Sequence, residues 1–298
     1  MTSSACLKYL KTMKRFILIC WDGIFKMLEK SPLGISCLAC FASALVSMLA
    51  RRPIWIFYFR NHWFRRDGGL AMPLGHTLRL RRHSVKQWRL AGEEMFSFRR
   101  PWWFSRYHPK AGDFIVDIGA GMCEDTFLFS KAVGSLGIVA AVEAHPDTFS
   151  VLLSLLTLNS ISNVIPASFA AMDVGGYIKL SSLADSDWQC NSTLLDSPSN
   201  SYVEVKACRL DEISSLASTS IIHFMKMNIE GAEVMALAGA AATLAKTQNI
   251  CVCCHDFLGE KTKTKSQVCR ILKEAGFSLS FTPSNAPPWE RDFVYGQR

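Results

Sequence analysis

The segment FIVDIGAGMCEDT, Phe114 to Thr126, constrains the fold more than any other part of the chain. An apolar run leads into Asp117, and Gly119 and Gly121 follow before a segment that is able to begin a helix. This order predicts a buried parallel strand, a glycine turn and a helix N-terminus. Glycine lets the backbone approach a ligand closely, and the first helical N–H groups have no partner within the helix. The segment therefore predicts a nucleotide-like ligand at the carboxyl end of this strand.

A second strand with an acidic end supports the same site. The sequence GIVAAVEAHP, Gly137 to Pro146, contains Glu143, which lies 24 residues after Gly119. An acid about 20 residues after a glycine loop, at the tip of the second strand, is placed to accept hydrogen bonds from ribose hydroxyls. The alternative is an ordinary βαβ unit in which two acids happen to end the strands. The two signals together favour the nucleotide site.

The glycine loop does not fit the dinucleotide pattern G-x-G-x-x-G, because Met122, Cys123 and Glu124 follow the second glycine. An Asp two residues before the first glycine is instead typical of S-adenosylmethionine sites. Four segments occur in order along the chain: HPKAGDFIVDIGAG, AVEAHPDTFSVLLSLLTLNSISNV, RLDEI and FMKMNIEGAEVMALAGA. With these segments the chain resembles the FkbM family of S-adenosylmethionine-dependent methyltransferases from about Pro109 to Phe281.

The resemblance implies S-adenosyl-L-methionine as the cofactor and methyl transfer to a hydroxyl. A sugar of a glycolipid, a polysaccharide or a secondary metabolite is the implied acceptor, and no metal is expected. For Asp173, the implied contact with the adenine amino group competes with an ordinary solvated turn aspartate. The residues expected to contact the cofactor are Asp117, Gly119, Ala120, Gly121, Glu143 and Asp173.

The segment KMNIEGAE, Lys226 to Glu233, carries the first catalytic candidates. It places Asn228 and Glu230 at the end of a strand, beside the cofactor crevice. Family members usually have Asp at the position of Asn228, and an amide is neither a base nor a strong ligand for a divalent ion. Glu230 is therefore the main candidate for positioning the acceptor or removing its proton. The alternative is that the acids of this segment cap the next helix through its dipole.

His255 matches another family position and is the second candidate base, since the unperturbed pKa of histidine is near neutrality. A structural histidine at the end of a strand is the alternative. Cys253 stands where the family commonly has Glu, and Cys123 stands where a third glycine is usual. These departures leave open a weakened enzyme or a cofactor-binding module without catalysis.

The alternation of apolar segments after Pro109 predicts an α/β fold. We expect a Rossmann-like, doubly wound, mostly parallel seven-stranded methyltransferase sheet with helices on both faces. The strands are expected at Phe114–Ile118, Ile138–Val142, Val164–Phe169, Val203–Cys208, Ile222–Met227, Ile250–Cys254 and Phe277–Phe281, and the segment Tyr177–Leu180 follows a loop around Asp173. Helices are expected at Asp147–Leu158, Glu230–Leu244 and Lys265–Ala275, and an exposed loop at Asp185–Asn200.

Residues 1–108 are expected to form an N-terminal extension, and residues 109–298 the methyltransferase domain. Ser31 to Ala50 contains twenty residues without a charge, fourteen of them apolar. A helix of this length would be roughly 30 Å long, which matches the hydrocarbon core of a bilayer. The segment therefore predicts a transmembrane helix, and a buried or interfacial helix is the alternative.

The sequence from 51 to 110 is strongly basic, with fourteen Lys/Arg and three Asp/Glu, net +11, in a chain of net charge +8. Aromatic residues accompany the arginines: Trp55, Tyr58, Trp63, Trp88, Trp102, Trp103 and Tyr107. This combination favours lipid headgroups as a partner. Nucleic-acid binding and a basic lid on an acidic domain are the alternatives. We expect a membrane-associated protein whose methyltransferase domain faces the cytoplasm, where the cofactor is made, and a hairpin at His76–Val85.

Overall fold

The computed structural model describes residues 25–78, 80, 85–90, 92, 94–181, 201–260 and 263–298. The predicted loop Asp185–Asn200 and the centre of the predicted hairpin His76–Val85 lie outside these residues. The chain forms two compact units, which divide between Met95 and Phe96. We call the first the N-terminal unit and the second the catalytic unit.

The N-terminal unit combines a long helix with a three-stranded antiparallel sheet. Its elements are α1 (Pro32–Ala50), β1 (Ile54–Phe59), β2 (His62–Asp67), β3 (Leu70–Gly75) and α2 (Val85–Arg89), and the sheet order is β1-β2-β3. The first hairpin turns at Arg60 and Asn61, whose φ angles of 47° and 63° are both left-handed. The second turns at Gly68 and Gly69. Two left-handed central residues match the right-handed twist of the flanking strands.

Helix α1 begins and ends with regular caps. The Ser31 hydroxyl accepts a hydrogen bond from the Gly34 N–H at 3.1 Å, and Pro32 occupies the first helical position, where its missing N–H costs nothing. Arg51 ends the helix with a left-handed φ of 61°. The helix is long and apolar enough to cross a membrane by length and composition, but the same test is passed by core helices of soluble proteins.

Most aromatic residues of the basic segment lie inside the protein. Trp63 and Trp88 are buried in the core beneath α1, and Trp103 and Tyr107 in a core of the catalytic unit. The expectation that these aromatic side chains contact lipid headgroups is wrong for these four, because they are buried in the protein core. Trp55, in contrast, is 66% exposed.

Two arginines of the basic segment support the N-terminal unit. Arg52 donates to both carboxylate oxygens of Asp67, at 2.9 and 2.5 Å, and Arg65 donates to Asp67 at 2.6 Å. Arg52 also donates to the backbone oxygens of Arg89 and Leu90. The Arg52 guanidinium is therefore occupied by bonds within the protein. Arg65 bonds through Nη2, while its Nε and Nη1 have no hydrogen-bond partner among the described residues.

The catalytic unit contains the seven-stranded sheet that the sequence predicts. The strands of the unit are β4 (Phe114–Ile118), β5 (Ile138–Glu143), β6 (Val164–Ser168), β7 (Ala170–Ala171), β8 (Gly176–Ser181), β9 (Tyr202–Cys208), β10 (Ile222–Met227), β11 (Thr247–Cys253), β12 (Ser278–Phe281) and β13 (Phe293–Gln297). The order of the main sheet is β12-β13-β11-β10-β4-β5-β6, and β13 is antiparallel to both of its neighbours.

Helices cover both faces of this sheet. They are α4 (Arg100–Phe104), α5 (Glu124–Val133), α6 (Pro146–Leu158), α7 (Ser214–Ser218), α8 (Glu233–Ala238), α9 (Ala241–Ala245), α10 (Lys265–Glu274) and α11 (Pro288–Arg291), and a short helix α3 (Glu94–Ser97) lies where the two units divide. Consecutive residues of a strand pack on opposite faces of the sheet, in two separate hydrophobic cores. Val116 and Met225 lie in one core, and Ile115 and Phe224 in the other. Burial on both faces explains the continuous apolar runs.

Three details of the fold differ from the expectation. The predicted helix Glu230–Leu244 is two helices, α8 and α9, because the chain breaks at Gly239, where a Cβ would come within 2.1 Å of the Met172 backbone oxygen. Strands β8 and β9 do not join the main sheet but form a separate sheet of order β7-β9-β8. Strand β13, which the sequence reading missed, completes the main sheet instead.

Candidate active site

Four strands of the catalytic unit end at the edge of one cavity. Because β4, β5, β10 and β11 are parallel, their carboxyl ends meet at the same edge of the sheet. The cavity there has a volume of about 340 Å³, which lies in the range of small-molecule sites. Its wall also includes Phe169 to Met172, around β7, and aromatic residues near α4 and β13.

The glycine loop after β4 brings two strand ends together. Gly119 has a φ of 78°, and a Cβ on it would come within 2.0 Å of the Asn228 backbone oxygen. The Gly119 and Ala120 N–H groups both donate to the Val142 carbonyl at 2.9 Å. Cys123 ends the loop with a φ of 72°, directly before α5. This is the conformation that glycine adopts most readily, which accounts for a glycine being usual at this position.

Glu143 lies at the end of β5 and is bonded to the backbone of two loops. It accepts hydrogen bonds from the Gly121 N–H at 2.9 Å and from the His145 N–H at 2.8 Å. Burial raises the pKa of this carboxyl, while the two N–H donors favour its charged form. Each carboxylate oxygen has a second lone pair, so Glu143 is able to accept further hydrogen bonds from a ligand in the cavity.

Asp117 lies beneath the glycine loop and is not among the residues that line the cavity in the described part of the chain. It is fully buried, 2.8 Å from the Lys226 ammonium, and accepts a hydrogen bond from the Thr126 hydroxyl at 2.6 Å. Burial raises the pKa of Asp117, and the charge of Lys226 opposes that rise. Asp117 therefore supports the glycine loop indirectly, through Lys226, which donates to the Gly119 carbonyl.

Lys226 is a site residue that the sequence reading did not single out. Its ammonium lies 2.8 Å from Asp117 and 3.5 Å from Asp125, and it donates to the Gly119 carbonyl at 2.5 Å. Burial lowers the pKa of Lys226, but the two carboxylates raise it more, so the lysine stays charged. A lysine inside the apolar strand FMKM was the available signal.

Arg99 and Trp103, around α4, attach to the start of α5. Arg99 pairs with Glu124 and lies 3.3 Å from Asp125, and the Trp103 indole N–H donates to Asp125 at 2.8 Å. Burial raises the pKa of the Asp125 carboxyl, but the positive charges of Arg99 and Lys226 outweigh burial and leave the pKa lowered. Arg99 and Trp103 both line the cavity, so the segment that precedes β4 contributes to the site.

Glu230, His255 and Glu233 form a chain of contacts, of which Glu230 and His255 line the cavity. The His255 Nε2 lies 3.2 Å from the Glu230 carboxylate, and its Nδ1 lies 2.9 Å from Glu233. Glu233 is fully buried and also accepts hydrogen bonds from the Gly231 N–H and the Thr264 hydroxyl, both at 3.0 Å. Glu230 is in the left-handed conformation, with a φ of 54°, in the turn between β10 and α8.

The charge of His255 follows from these contacts. Burial lowers the pKa of His255, but the hydrogen bonds to Glu230 and Glu233 outweigh burial and raise it to about 10. The imidazole therefore holds its proton at neutral pH, and both ring nitrogens donate. An imidazolium is not a base, so this environment suits His255 to holding Glu230 in place.

Asn228 follows β10 and lines the cavity. Its backbone N–H donates to the Ile118 carbonyl at 3.0 Å. Its side-chain oxygen is buried and has no hydrogen-bond partner among the described residues. An unpaired buried carbonyl oxygen is costly unless a ligand supplies a donor. Asp173 lies in the turn after β7, outside the set of described residues that line the cavity, and its backbone oxygen accepts from Arg209.

The cavity brings together most of the residues that the sequence predicted. Those that line it are Gly119, Ala120, Gly121, Glu143, Asn228, Glu230 and His255. These residues fit S-adenosyl-L-methionine in their chemistry: acceptor capacity on Glu143 for ribose hydroxyls, a loop in which two glycines lack a Cβ, and an unpaired oxygen on Asn228 for a donor group. Among the described residues, no cluster of three or more His, Cys, Asp or Glu has a geometry that would hold a metal ion.

Comparisons with known proteins identify one matching family model and several similar solved structures. A family model described as Methyltransferase FkbM domain matches residues 112–279, more than half of the chain. The comparison with curated proteins gave no sequence match. Among solved structures, the methyltransferase FkbM from Methylobacillus flagellatus is similar with a TM-score of 0.47 and 15% identity, over 72% of this chain and 52% of that one. The chain thus spans about half the length of that protein.

Two further solved structures are similar to part of this chain. Fibrillarin from Aeropyrum pernix, in complex with natively bound S-adenosyl-L-methionine, has a TM-score of 0.41 and 13% identity, over 68% of this chain and 73% of that one. A SAM-dependent methyltransferase from Aquifex aeolicus has a TM-score of 0.39 and 14% identity, over 69% of this chain and 94% of that one.

Proposed function

The chain belongs to the FkbM methyltransferase family, and on that premise we propose that it methylates a hydroxyl oxygen of its acceptor with S-adenosyl-L-methionine as the donor, using Glu230 to take the hydroxyl proton. The observation that carries this proposal is the Glu230 carboxylate, which lines the cavity and lies 3.2 Å from the imidazole of His255.

The cofactor, when bound, supplies an electrophilic methyl group on a sulfonium. Glu143 binds the ribose hydroxyls with the acceptor capacity that its two backbone donors leave free. The loop of Gly119, Ala120 and Gly121 lets the cofactor approach the backbone. Lys226 holds this loop from below through the Gly119 carbonyl. The Asn228 side-chain oxygen accepts a hydrogen bond from the amino group of the cofactor or from the acceptor hydroxyl.

Glu230 has the chemistry of a general base in this arrangement. An alcohol oxygen attacks a methyl group well only as its proton leaves, so a carboxylate within hydrogen-bond reach lowers the barrier. Glu230 would take the hydroxyl proton as the acceptor oxygen gains the methyl group. The methyl–sulfur bond would break with its electron pair left on sulfur, so the products would be a methyl ether and a neutral thioether. His255 is assigned to positioning, because its pKa of about 10 keeps it protonated. Glu233 fixes the ring through Nδ1, so that Nε2 faces Glu230.

The cavity wall favours a sugar-like acceptor. Trp102, Phe257 and Phe293 offer flat apolar rings, and Glu124 and Glu230 offer carboxylates. Rings stack on the C–H faces of a sugar, and carboxylates accept hydrogen bonds from its hydroxyls. This combination supports a hydroxyl of a sugar, a glycolipid or a hydroxylated secondary metabolite as the methylated group.

A cofactor-binding module without catalysis is the second candidate. It is favoured by Asn228, where the family usually has Asp, and by Cys253, where it commonly has Glu. The pKa of Cys253 is raised well above its ordinary value, mainly by burial, so its thiol carries no charge at neutral pH. This candidate predicts tight cofactor binding and no turnover on any acceptor.

The experiment that tests the proposal is methyl transfer from cofactor with an isotopically labelled methyl group. Purified full chain is incubated with separate glycan, lipid and small-molecule extracts, and labelled products are isolated. We expect a labelled product that survives mild alkali and hydroxylamine, as an ether does and an ester does not. A label found only on carboxyl or nitrogen atoms would contradict O-methylation of a hydroxyl, and cofactor binding without any product would favour the binding module.

A further inference from the structure

We propose that helix α1 docks in the plane of an anionic membrane surface through its outer face, and that it does not cross the bilayer. The outer face consists of the residues at helical spacing opposite the protein core, namely Leu33, Cys37, Phe41, Ala44 and Met48, all of which are exposed.

The opposite face of α1 packs against the core of the N-terminal unit along the whole helix. The buried positions recur every fourth residue: Gly34, Leu38, Ala42, Val46 and Ala50. These residues share a core with Ile54 and Ile56 of β1. The helix therefore has one face for its own unit and another that this core leaves uncovered.

Two serines fasten α1 to the edge of the sheet. The Ser43 hydroxyl accepts from the Ile56 N–H at 2.8 Å, and the Ser47 hydroxyl accepts from the Ile54 N–H at 2.9 Å. The Ser47 hydroxyl also donates to the Ile54 carbonyl at 3.1 Å. Helix side chains thus complete the backbone hydrogen bonds of an edge strand, which would otherwise expose a row of unpaired groups.

This attachment conflicts with a spanning orientation. Ser43 lies near the middle of α1, so a spanning helix would hold β1 near the midplane of the bilayer. The three-stranded sheet is open, and open edges within hydrocarbon leave backbone groups without partners. The buried Arg65 and Asp67 of β2 would enter the bilayer with it. An in-plane helix keeps the sheet on the water side.

The outer face has the character of a lipid-binding surface. Leu33 is 76% exposed and Met48 69%, and Phe41, which is 45% exposed, also contacts the ring of Phe25. Exposed apolar side chains that share one face of a helix mark a surface for a partner or a membrane.

Charge selects an anionic bilayer as the partner. Residues 1–95 carry sixteen Lys/Arg and five Asp/Glu, net +11, whereas the rest of the chain has a net charge of −3. Exposed Lys30 and Arg51 stand at the two ends of α1. Cations around an apolar helix face meet anionic headgroups while the apolar side chains enter the acyl boundary. The same positive charge opposes the pairing of this face with a second copy.

The first test is vesicle sedimentation with the full chain and a pair of matched variants. Wild type is expected to bind phosphatidylserine–phosphatidylcholine vesicles, more weakly at high salt, and to bind pure phosphatidylcholine poorly. Leu33→Glu/Met48→Glu should weaken binding at least about 100-fold, since two large apolar side chains lose their burial. The control Leu136→Glu/Tyr177→Glu adds the same charge at exposed apolar sites of the catalytic unit and should bind within about threefold of wild type.

Several results would overturn the proposal. Equal losses for the two variants, or no binding of wild type to anionic vesicles, would remove the lipid surface. A wild-type dimer that Leu33→Glu/Met48→Glu converts to a monomer would assign the face to a second copy. Thermal unfolding of both variants checks that each is folded, and a single Met48→Glu variant repeats the comparison if the double variant is not.

The second test separates in-plane docking from spanning. Full chain with a tag at each terminus is synthesised in the presence of sealed vesicles, which are then treated with protease. An in-plane helix leaves both tags on the outside, so both are digested. A spanning helix puts the termini on opposite sides, so protection of one tag would contradict the proposal.

Discussion

At the residue scale, three carboxylates near the cavity have different roles because their partners differ. Glu143 is bonded to backbone N–H groups, Asp117 pairs with the Lys226 ammonium, and Glu230 faces the imidazole of His255. The sequence placed all three at strand ends. It could not assign their partners, because Lys226 lies in β10 and His255 follows β11, and the residues that these segments approach are fixed only by the register of the folded sheet.

The raised pKa of His255 predicts how stability changes with pH. The folded protein holds this proton up to about pH 10, while the unfolded chain releases it near 6.5. The stabilisation is therefore complete below pH 6.5 and is lost as pH rises to 10, by at most about 1.4 kcal/mol per pH unit. Urea denaturation of wild type and His255→Gln at pH 6.5, 8 and 10 measures it. We expect the difference between their free energies of unfolding to shrink with pH, and a constant difference would contradict the charge assigned to His255.

The glycine loop supplies a second prediction at this scale. In Gly119→Ala the new Cβ would come within 2.0 Å of the Asn228 backbone oxygen, whereas in Gly121→Ala nothing lies within 4 Å. Both residues have positive φ, so Gly121→Ala should cost about 1–2 kcal/mol of unfolding free energy from backbone strain alone. Gly119→Ala should cost at least about 3 kcal/mol, because backbone must also move. Chemical denaturation checks the order, and equal costs would contradict the close approach of the two strand ends.

At the scale of elements, the sequence predicted the parallel strands well because they are buried on both faces. The apolar runs at Phe114–Ile118 and Ile222–Met227 match β4 and β10 residue for residue. Strand β13 is harder to predict, since it is short and contains Gly296, whose missing Cβ allows close packing against Ile250. The dipeptide Gly68–Gly69 is typical of a hairpin turn and could have predicted β2 and β3. The arginines around it instead favoured lipid headgroups as the partner of this segment.

The contact between α1 and β1 gives a prediction for a single element. Ser47→Ala removes the acceptor of the Ile54 N–H, which lies in the core beneath α1, and should cost about 1–3 kcal/mol. Ser36→Ala is the matched control, because that exposed hydroxyl donates to the Pro32 carbonyl within the same helix. We expect a change within about 0.5 kcal/mol for the control. Thermal unfolding of the two variants makes the comparison, and an equal stability would show that α1 is held by apolar packing alone.

At the scale of the whole molecule, the sequence indicates the catalytic unit more completely than the N-terminal one. The family model covers residues 112–279, and seven of the nine residues that were named as cofactor or catalytic candidates line one cavity. Arg99 and Trp103 of the same cavity were not predicted, because they precede the motifs and approach through tertiary packing. The sequence showed the basic charge of the N-terminal unit. It did not predict that Arg52 and Arg65 form ion pairs with Asp67 inside this unit.

The measurement that tests the central claim most directly is turnover of Glu230→Gln. Full chain, this variant and the control Glu274→Gln, at an exposed position of α10, are compared on the acceptor identified by methyl labelling, with cofactor affinity measured by calorimetry. If Glu230 takes the acceptor proton, Glu230→Gln should lower kcat by about 10²–10⁴ while the cofactor Kd stays within about threefold. Glu274→Gln should match wild type in both. A Glu230→Gln protein with wild-type kcat would contradict the assignment of Glu230 as the base.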